Sequence, residues 1–169
     1  LKGLSAYSAD DFERLVPKVR PQVLQSWANA IDDQFIRPGS RLQKLMDQHD
    51  LSFVAFSPLA QGRLLDKFNP EHPPQFEPGD HRKDSRAFSA EAIAELKPKL
   101  EKLKARFGTT TEDLASVALN FVLGHPRVAC TIPGFRNARQ AKCNVAADGR
   151  ALGEQDLAFI RDALHGRKR

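Results

Sequence analysis

Short apolar segments alternate with amphipathic ones along this chain, and that alternation limits the folds open to it. Four segments have the length and composition of β-strands, and they lie at residues 3–7, 22–27, 51–56 and 127–134. Helical patterns follow or precede each of them. Because helical crossovers return a chain to the same end of a sheet, strands joined in this way run parallel. The sequence therefore predicts an α/β fold with a parallel sheet covered by helices.

Capping signals mark the ends of the predicted helices. Ser8 has Asp11 three residues later, which is the spacing of an N-terminal capping box. Thr110 precedes an apolar helical segment, and Gly124 follows it as a stop signal. The last helix is predicted over residues 152–166. These signals predict where the helix after the first strand begins and where the helix before the fourth strand begins and ends.

A long insertion separates the third strand from the helices that lead to the fourth. Residues 68–89 read FNPEHPPQFEPGDHRKDSRAFS, which is rich in proline and in charge. A segment of this length is too long for an ordinary βα loop, so it is either a functional lid or a linker. It follows the carboxyl end of a strand, where ligands bind in parallel sheets. We therefore predict a lid.

Composition excludes several classes of protein. The 169 residues predict a single unit over 1–169 with its own core. The net charge of +5 suits anionic ligands, but no pattern of interleaved aromatic and basic residues indicates nucleic-acid binding. No apolar run is long enough to cross a membrane. Cys130 and Cys143 are predicted to be free thiols of a cytoplasmic protein, with a disulfide as the alternative.

The carboxyl ends of the predicted strands carry hydroxyl, amide, aromatic and guanidinium groups. Ligands of parallel α/β folds bind beyond these ends. The groups there include neither a carboxylate pair nor a histidine. They suit the binding of a flat, amide-bearing, phosphorylated ligand and do not suit proton transfer. No metal-ligand spacing is present either.

The end of the fourth strand combines a glycine, an arginine and a helix start. Gly134 would let a ligand approach the backbone, and Asn137 and Gln140 have the spacing of a capping box. The helix that begins there would point free N–H groups toward the strand ends, and Arg136 would add donors suited to phosphate. An anion site is one interpretation. A tight connection with a surface arginine is the other.

Several motifs resemble those of the aldo/keto reductase family. AFSPLAQGRLL at residues 55–65 is similar to the family's strand-seven motif, and TIPGFRNARQAKCN at 131–144 to its strand eight and following helix. GLSAYS and VLQSWAN resemble strands five and six. PGDHRKDSRAFSAEA is similar to a loop of many bacterial members, and TTTEDLASVALNFVL to the helix before strand eight. The matches occur in order over nearly the whole chain.

The resemblance implies the C-terminal half of a (β/α)8 TIM-type barrel that binds NADP(H). It also implies a set of cofactor-binding residues: Ser5 and Gln25 for the carboxamide, Phe56 for stacking on the nicotinamide, Ser57, Leu59 and Gln61 for the pyrophosphate, Gly134, Phe135, Arg136 and Gln140 for the 2′-phosphate, and Asn144 for the adenine.

The chain departs from the family pattern at three of the matched positions. Ala6 stands where the family has Asn, Cys143 where it has an acidic residue, and Gln140 where it often has Arg. The last departure leaves the choice between NADP and NAD open.

The family's catalytic Asp, Tyr, Lys and His lie on strands one to four, which this chain does not resemble. We therefore expect no catalytic residue here, a missing upstream segment before Leu1, and a small-molecule carbonyl substrate for the complete barrel. The partner would be an N-terminal half-barrel or a second copy of the chain. One alternative is a stand-alone, non-catalytic half-barrel that binds nucleotides or oligomerises. Another is a barrel segment that binds a phosphorylated sugar.

Overall fold

A parallel sheet of four strands forms the centre of the fold in the computed structural model, which describes residues 1–147 and 151–166. Residues 148–150 and 167–169 of the predicted unit lie outside the described part. The strands lie side by side in chain order, and they are β1 (Gly3–Ser5), β2 (Val23–Trp27), β3 (Ser52–Phe56) and β4 (Val128–Ile132). The predicted α/β fold with a parallel sheet is confirmed.

Six α-helices and two short 3₁₀ helices surround the sheet in the described residues. The α-helices are α1 (Ala9–Val19), α2 (Arg41–His49), α3 (Ala90–Phe107), α4 (Thr111–Leu123), α5 (Ala138–Ala146) and α6 (Glu154–His165). The 3₁₀ helices are Ala60–Leu65, after β3, and Arg86–Phe88, before α3. None of the helices in residues 1–147 and 151–166 combines the length and the hydropathy needed to cross a membrane.

The helix starts agree with the capping signals in the sequence. The Ser8 side chain accepts a hydrogen bond from the Asp11 amide at 3.1 Å. At α4 the cap is reciprocal, because Thr110 Oγ1 accepts from the Asp113 amide at 3.0 Å while the Asp113 carboxylate accepts from the Thr110 amide. Side-chain caps of this kind satisfy N–H groups that have no partner within the helix. The predicted starts of α1 and α4 are therefore confirmed.

The observed strands are one to three residues shorter than predicted, and the largest difference is at β4, which ends at Ile132. β3 begins at Ser52 because the Leu51 amide still bonds to the Met46 carbonyl at the end of α2. β1 ends at Ser5, and the Tyr7 side chain beyond it is 70 % exposed. The predicted insertion does not follow β3 directly, because the 3₁₀ helix Ala60–Leu65 lies between them.

Strand register places residues of all four strands in common rows across the sheet. Ser5 pairs with Gln25, Gln25 with Val54, and Val54 with Cys130. The next row toward the carboxyl edge contains Trp27, Phe56 and Ile132. These two rows project to the same face because they lie two residues apart on each strand.

The two faces of the sheet differ in burial. Leu24, Phe53 and Ala55 on one face are fully buried among the helices. The alternate residues of β2 and β3 are only half-buried. Parallel sheets are normally covered on both faces. The face that carries Gln25 and Phe56 is therefore the less covered one in the described residues.

A buried polar array connects α6 with the segment after β2. Arg161 donates to the fully buried Asp33 carboxylate at 3.2 Å and to Nε2 of His125 at 2.6 Å. His125 Nδ1 is therefore the protonated nitrogen, and it donates to the Phe121 carbonyl at 2.8 Å. Burial, reinforced by the Arg161 charge, lowers the pKa of His125 below its ordinary value. The array orients α6 through a single guanidinium group.

The α4 cap gives a direct test of the fold. Thr110→Ala should lower the free energy of unfolding by about 1 kcal/mol, because it removes the oxygen that accepts from the Asp113 amide. Thr109→Ala is the matched control, since Thr109 is exposed and precedes the cap. Urea unfolding followed by circular dichroism measures both. Equal losses in the two variants would contradict the capping role.

Candidate functional site

A cavity of about 900 Å³ opens at the carboxyl ends of β3 and β4. Its walls come from the turn after β3, the insertion, the first turn of α4 and the first turns of α5. Nine of the eleven predicted cofactor-binding residues line it, and they are Phe56, Ser57, Leu59, Gln61, Gly134, Phe135, Arg136, Gln140 and Asn144. Residues 80–82 of the predicted lid also lie in its wall. The cavity therefore gathers distant parts of the chain around one volume.

The other two predicted residues, Ser5 and Gln25, lie outside the cavity lining. They pair with each other across β1 and β2, one row below Phe56 and on the same face of the sheet. Tyr7 packs beside the next row, since its ring centroid is 6.2 Å from that of Phe56 and 5.8 Å from that of Trp27. Ser5 and Gln25 thus lie on the open face of the sheet, one row away from the cavity residue Phe56.

The turn after β3 is built from left-handed backbone. Ser57, Ala60 and Gln61 have φ values of 54°, 48° and 57°, and Gly62 follows with a φ of 88°. Left-handed conformations cost energy in residues other than glycine, and such outliers cluster at ligand-binding sites. The turn directs the side chains of Ser57, Leu59 and Gln61 to the cavity.

The end of this turn is anchored to α3. The Asp66 carboxylate accepts hydrogen bonds from Lys97 at 2.7 Å and from Lys104 at 2.9 Å. These ammonium groups outweigh the effect of burial and lower the pKa of Asp66. The two ion pairs are partly buried and hold the residue that precedes Lys67.

Hydrogen bonds at the end of β4 differ from those predicted. Asn137 does cap α5, because its side chain accepts from the Gln140 amide at 2.9 Å. The Gln140 side chain, however, accepts from the Arg136 amide at 2.7 Å and so reaches one residue before the cap. Asn144 donates to the Gly134 carbonyl at 3.5 Å. Gln140 and Asn144 therefore brace the loop 134–136 in addition to lining the cavity.

Gly134 is not required by the backbone of this loop. Its φ lies outside the left-handed region, and a Cβ atom added there would meet no atom within 4 Å. The free space lies at the cavity wall. The sequence predicts that Gly134 lets a ligand approach the backbone closely. The structure leaves open space beside Gly134 that a ligand would fill.

Positive charge dominates the cavity. Lys67, Arg82 and Arg136 line the same cavity. Burial lowers the pKa of Lys67, and the charges of Arg136 and Arg82 lower it further. Arg82 is neutralised by Asp80, to which it donates from Nε and Nη2. Lys67 and Arg136 form no ion pair with a carboxylate in the described residues. An anion would relieve this repulsion.

Three cationic residues of the cavity were not in the predicted set. Lys67, Arg82 and Arg139 line it together with Arg136. Residues 80–82 belong to the predicted lid, and His81 in this segment is hydrogen-bonded to Gln61 at 2.8 Å. The basic residues of the insertion were the available signal for Arg82, but nothing local in the sequence distinguishes Lys67 or Arg139 from surface charges. Both cysteines are free, as predicted.

Comparison with known proteins identifies relatives of this chain. The family model of the aldo/keto reductase family matches residues 2–165. An uncharacterized oxidoreductase of Mycobacterium tuberculosis strain H37Rv is 34% identical over 110 residues, which are 65% of this chain and 32% of that protein. An aldo-keto reductase of Strobilurus tenacellus is 29% identical over 114 residues, which are 66% of this chain and 32% of that protein.

Solved structures share the fold. The glycerol dehydrogenase of Gluconobacter oxydans superposes with a TM-score of 0.72 at 18% identity, over 99% of this chain and 50% of that one. The holo form of an aldo-keto reductase from Bacillus halodurans gives a TM-score of 0.68 at 22% identity, over 98% and 50%. The chain therefore spans about half the length of these solved structures.

Two cavity glycines provide a matched test of the local geometry. Gly62→Ala should lower the free energy of unfolding by about 1–3 kcal/mol, because a Cβ atom at φ 88° is strained and would lie 2.5 Å from the Lys67 side chain. Gly134→Ala should leave stability nearly unchanged, since the space around it is open. Urea unfolding compares them. A stable Gly62→Ala protein would contradict the left-handed turn.

Proposed function

This chain belongs to the aldo/keto reductase family, and we propose that it is the C-terminal, cofactor-holding half of that family's (β/α)8 barrel. The observation that carries the proposal is the cavity at the ends of β3 and β4, where unpaired cations and nine of the predicted cofactor-binding residues meet. The cofactor is NADP(H), and the substrate of the complete enzyme is a small carbonyl compound that is reduced reversibly.

The residues of the cavity fit a dinucleotide with several phosphates. Lys67 and the turn residues Ser57 and Gln61 offer a cation, a hydroxyl and an amide to the pyrophosphate. Arg136 offers a guanidinium at the α5 end, where the free N–H groups of the first helical turn add to the positive potential. The donor set thus matches the chemistry of the phosphates, and Phe56 provides an apolar surface at the nicotinamide end.

In this scheme the chain orients the cofactor and does not transfer protons. NADPH supplies the hydride when bound. Phe56 would lie against the nicotinamide ring and Ser5 and Gln25 would bind its carboxamide, so that one face of the ring would be open to the substrate. No residue of this chain matches the family's acid–base group, so the proton would come from the other half-barrel. The insertion 68–89 acts as a lid over the phosphates, consistent with the His81–Gln61 hydrogen bond.

We propose that an N-terminal half-barrel covers the open face of the sheet. The half-buried face carries Gln25, Trp27 and Phe56, and β1 and β4 form the two edges of the sheet in the described residues. The side chains of Ile132 at the end of β4, Phe135 in the loop after it and Val145 on α5 are 49%, 65% and 76% exposed. Four further strands would pair with both edges and bury this face. The free thiols Cys130 and Cys143 fit a reducing compartment such as the cytoplasm.

A second candidate is a non-catalytic half-barrel that closes with a copy of itself. The open face and the two edges favour it, because a two-fold arrangement would pair β4 of one protomer with β1 of the other. Such a dimer would keep two copies of the cavity. A smaller anion such as a sugar phosphate would also suit the cations of the cavity.

Cofactor binding is measured with the single tryptophan. NADPH should quench Trp27 fluorescence, whereas sugar phosphates should not, because Trp27 is the row neighbour of Phe56.

The substitution Arg136→Ala should weaken the binding of NADPH by about 1–3 kcal/mol and the binding of NADH much less, because only NADPH has the 2′-phosphate. Lys142→Ala, an exposed cation on α5 outside the cavity, is the control. Equal losses for both cofactors would remove Arg136 from the 2′-phosphate site.

Sedimentation velocity distinguishes the two candidate partners, which are an N-terminal half-barrel and a second copy of this chain. If an N-terminal half covers the sheet, adding a recombinant N-terminal half of a relative should produce a one-to-one complex and carbonyl-dependent NADPH oxidation. If the chain closes on itself, it should sediment as a dimer that the added half does not dissociate. A chain that remains a soluble monomer at high concentration and does not bind the added half would contradict both proposed partners.

A further inference from the structure

Arg139 and Glu112 form an ion pair across one end of the cavity. Arg139 lies in the first turn of α5, and Glu112 lies in the first turn of α4. Nε and Nη2 of Arg139 both donate to Oε1 of Glu112, the first over 3.0 Å. Both side chains line the cavity, together with Arg136, Cys143 and Asn144. The pair is thus part of the wall that faces a ligand.

The position of the pair is fixed by its neighbours. Cys143 lies one turn after Arg139 on the same helix. Burial raises the pKa of the Cys143 thiol, and the Glu112 charge raises it further. The pair therefore lies beside Cys143 and next to Asn144, at the α5 end of the cavity. In the proposed function this is the end that holds the adenosine ribose.

The pair can be opened by a stronger anion. The side chains of Arg139 and Glu112 are 78% and 45% exposed, and exposed ion pairs are weak because water screens them. Hydrogen bonds from Arg139 hold the pKa of Glu112 below its ordinary value, so the carboxylate is ionised at neutral pH. A phosphate dianion carries more charge than a carboxylate and accepts both donors of the guanidinium fork. It would therefore displace Glu112 from Arg139.

We propose that the Glu112–Arg139 pair selects between the two dinucleotides at the ribose 2′ position. The inference rests on the proposed function. Arg139 binds the 2′-phosphate of NADP(H) together with Arg136, and Glu112 competes with that phosphate for the same guanidinium. With NAD(H) the pair stays closed or Glu112 accepts a hydrogen bond from the 2′-hydroxyl, which is how acidic residues recognise this group. Glu112 therefore lowers the preference for NADP(H) that Arg136 and Arg139 create.

A purely structural pair makes a different prediction. The same contact joins α4 to α5, and α5 has no buried residue in the described part of the chain. If the pair only held the two helices together, breaking it from either side would lower stability and would weaken both dinucleotides in parallel. A selector instead requires that the two sides of the pair affect the NADPH-to-NADH affinity ratio in opposite directions.

Equilibrium binding of NADPH and NADH to the purified protein tests the inference. The substitution Arg139→Ala should lower the affinity for NADPH about tenfold and change the affinity for NADH little. Glu112→Gln should strengthen NADPH by about threefold, because Arg139 is released, while NADH is unchanged or slightly weaker. Lys142→Ala is again the control. Adenosine 2′,5′-bisphosphate and 5′-AMP should show the same opposite shifts, which would place the effect at the ribose.

The outcomes separate this inference from the function on which it rests. If the wild-type protein binds both dinucleotides and the two variants shift NADPH and NADH equally, the selector is wrong and the cofactor site stands. If neither variant changes the affinity for either dinucleotide, the selector is likewise wrong and the cofactor site stands. If the wild-type protein binds neither dinucleotide, the proposed function fails and the selector fails with it. Urea unfolding of each variant confirms that a loss of binding is not a loss of folding.

Discussion

Parallel pairing of the four strands in chain order is the constraint on which the rest of the structure depends. Parallel pairing places the carboxyl ends of all four strands at the same end of the sheet. The turn after β3 and the loop after β4 are therefore neighbours, although they are far apart in sequence. The β3–β4 crossover must then span the outside of the sheet, and α3 and α4 fill that path. The first turn of α4 returns to the same edge and completes the cavity wall.

The cavity gains its character from charges that cannot all be neutralised locally. Asp80 balances Arg82, and Glu112 balances Arg139, but Lys67 and Arg136 remain near each other without a carboxylate among the described residues. Repulsion between them is tolerated because the fold is braced elsewhere, through Asp66 on one side and through Gln140 and Asn144 on the other. The result is a preorganised positive site that an anion would stabilise.

Local signals in the sequence were sufficient for the helices and the sheet. Ser8 and Thr110 cap helices as predicted, because a cap depends only on residues within one turn. The strand ends were less accurate, since the Leu51 amide is still bonded to α2. Motifs supplied residues such as Ser57 and Arg136, which do line the cavity, while their role in binding a cofactor stays a prediction. The Glu112–Arg139 pair was not predicted, because its partners are 27 residues apart and meet only after α4 and α5 have packed.

The left-handed turn after β3 also determines where new binding properties could be engineered. Ser57, Ala60 and Gln61 adopt a backbone that β-branched side chains avoid, so randomising these positions would mostly yield proteins that fold poorly. The facing turns of α4 and α5 have ordinary helical backbone and exposed side chains. A library that aims to change ligand preference should therefore vary the helices and leave the turn intact.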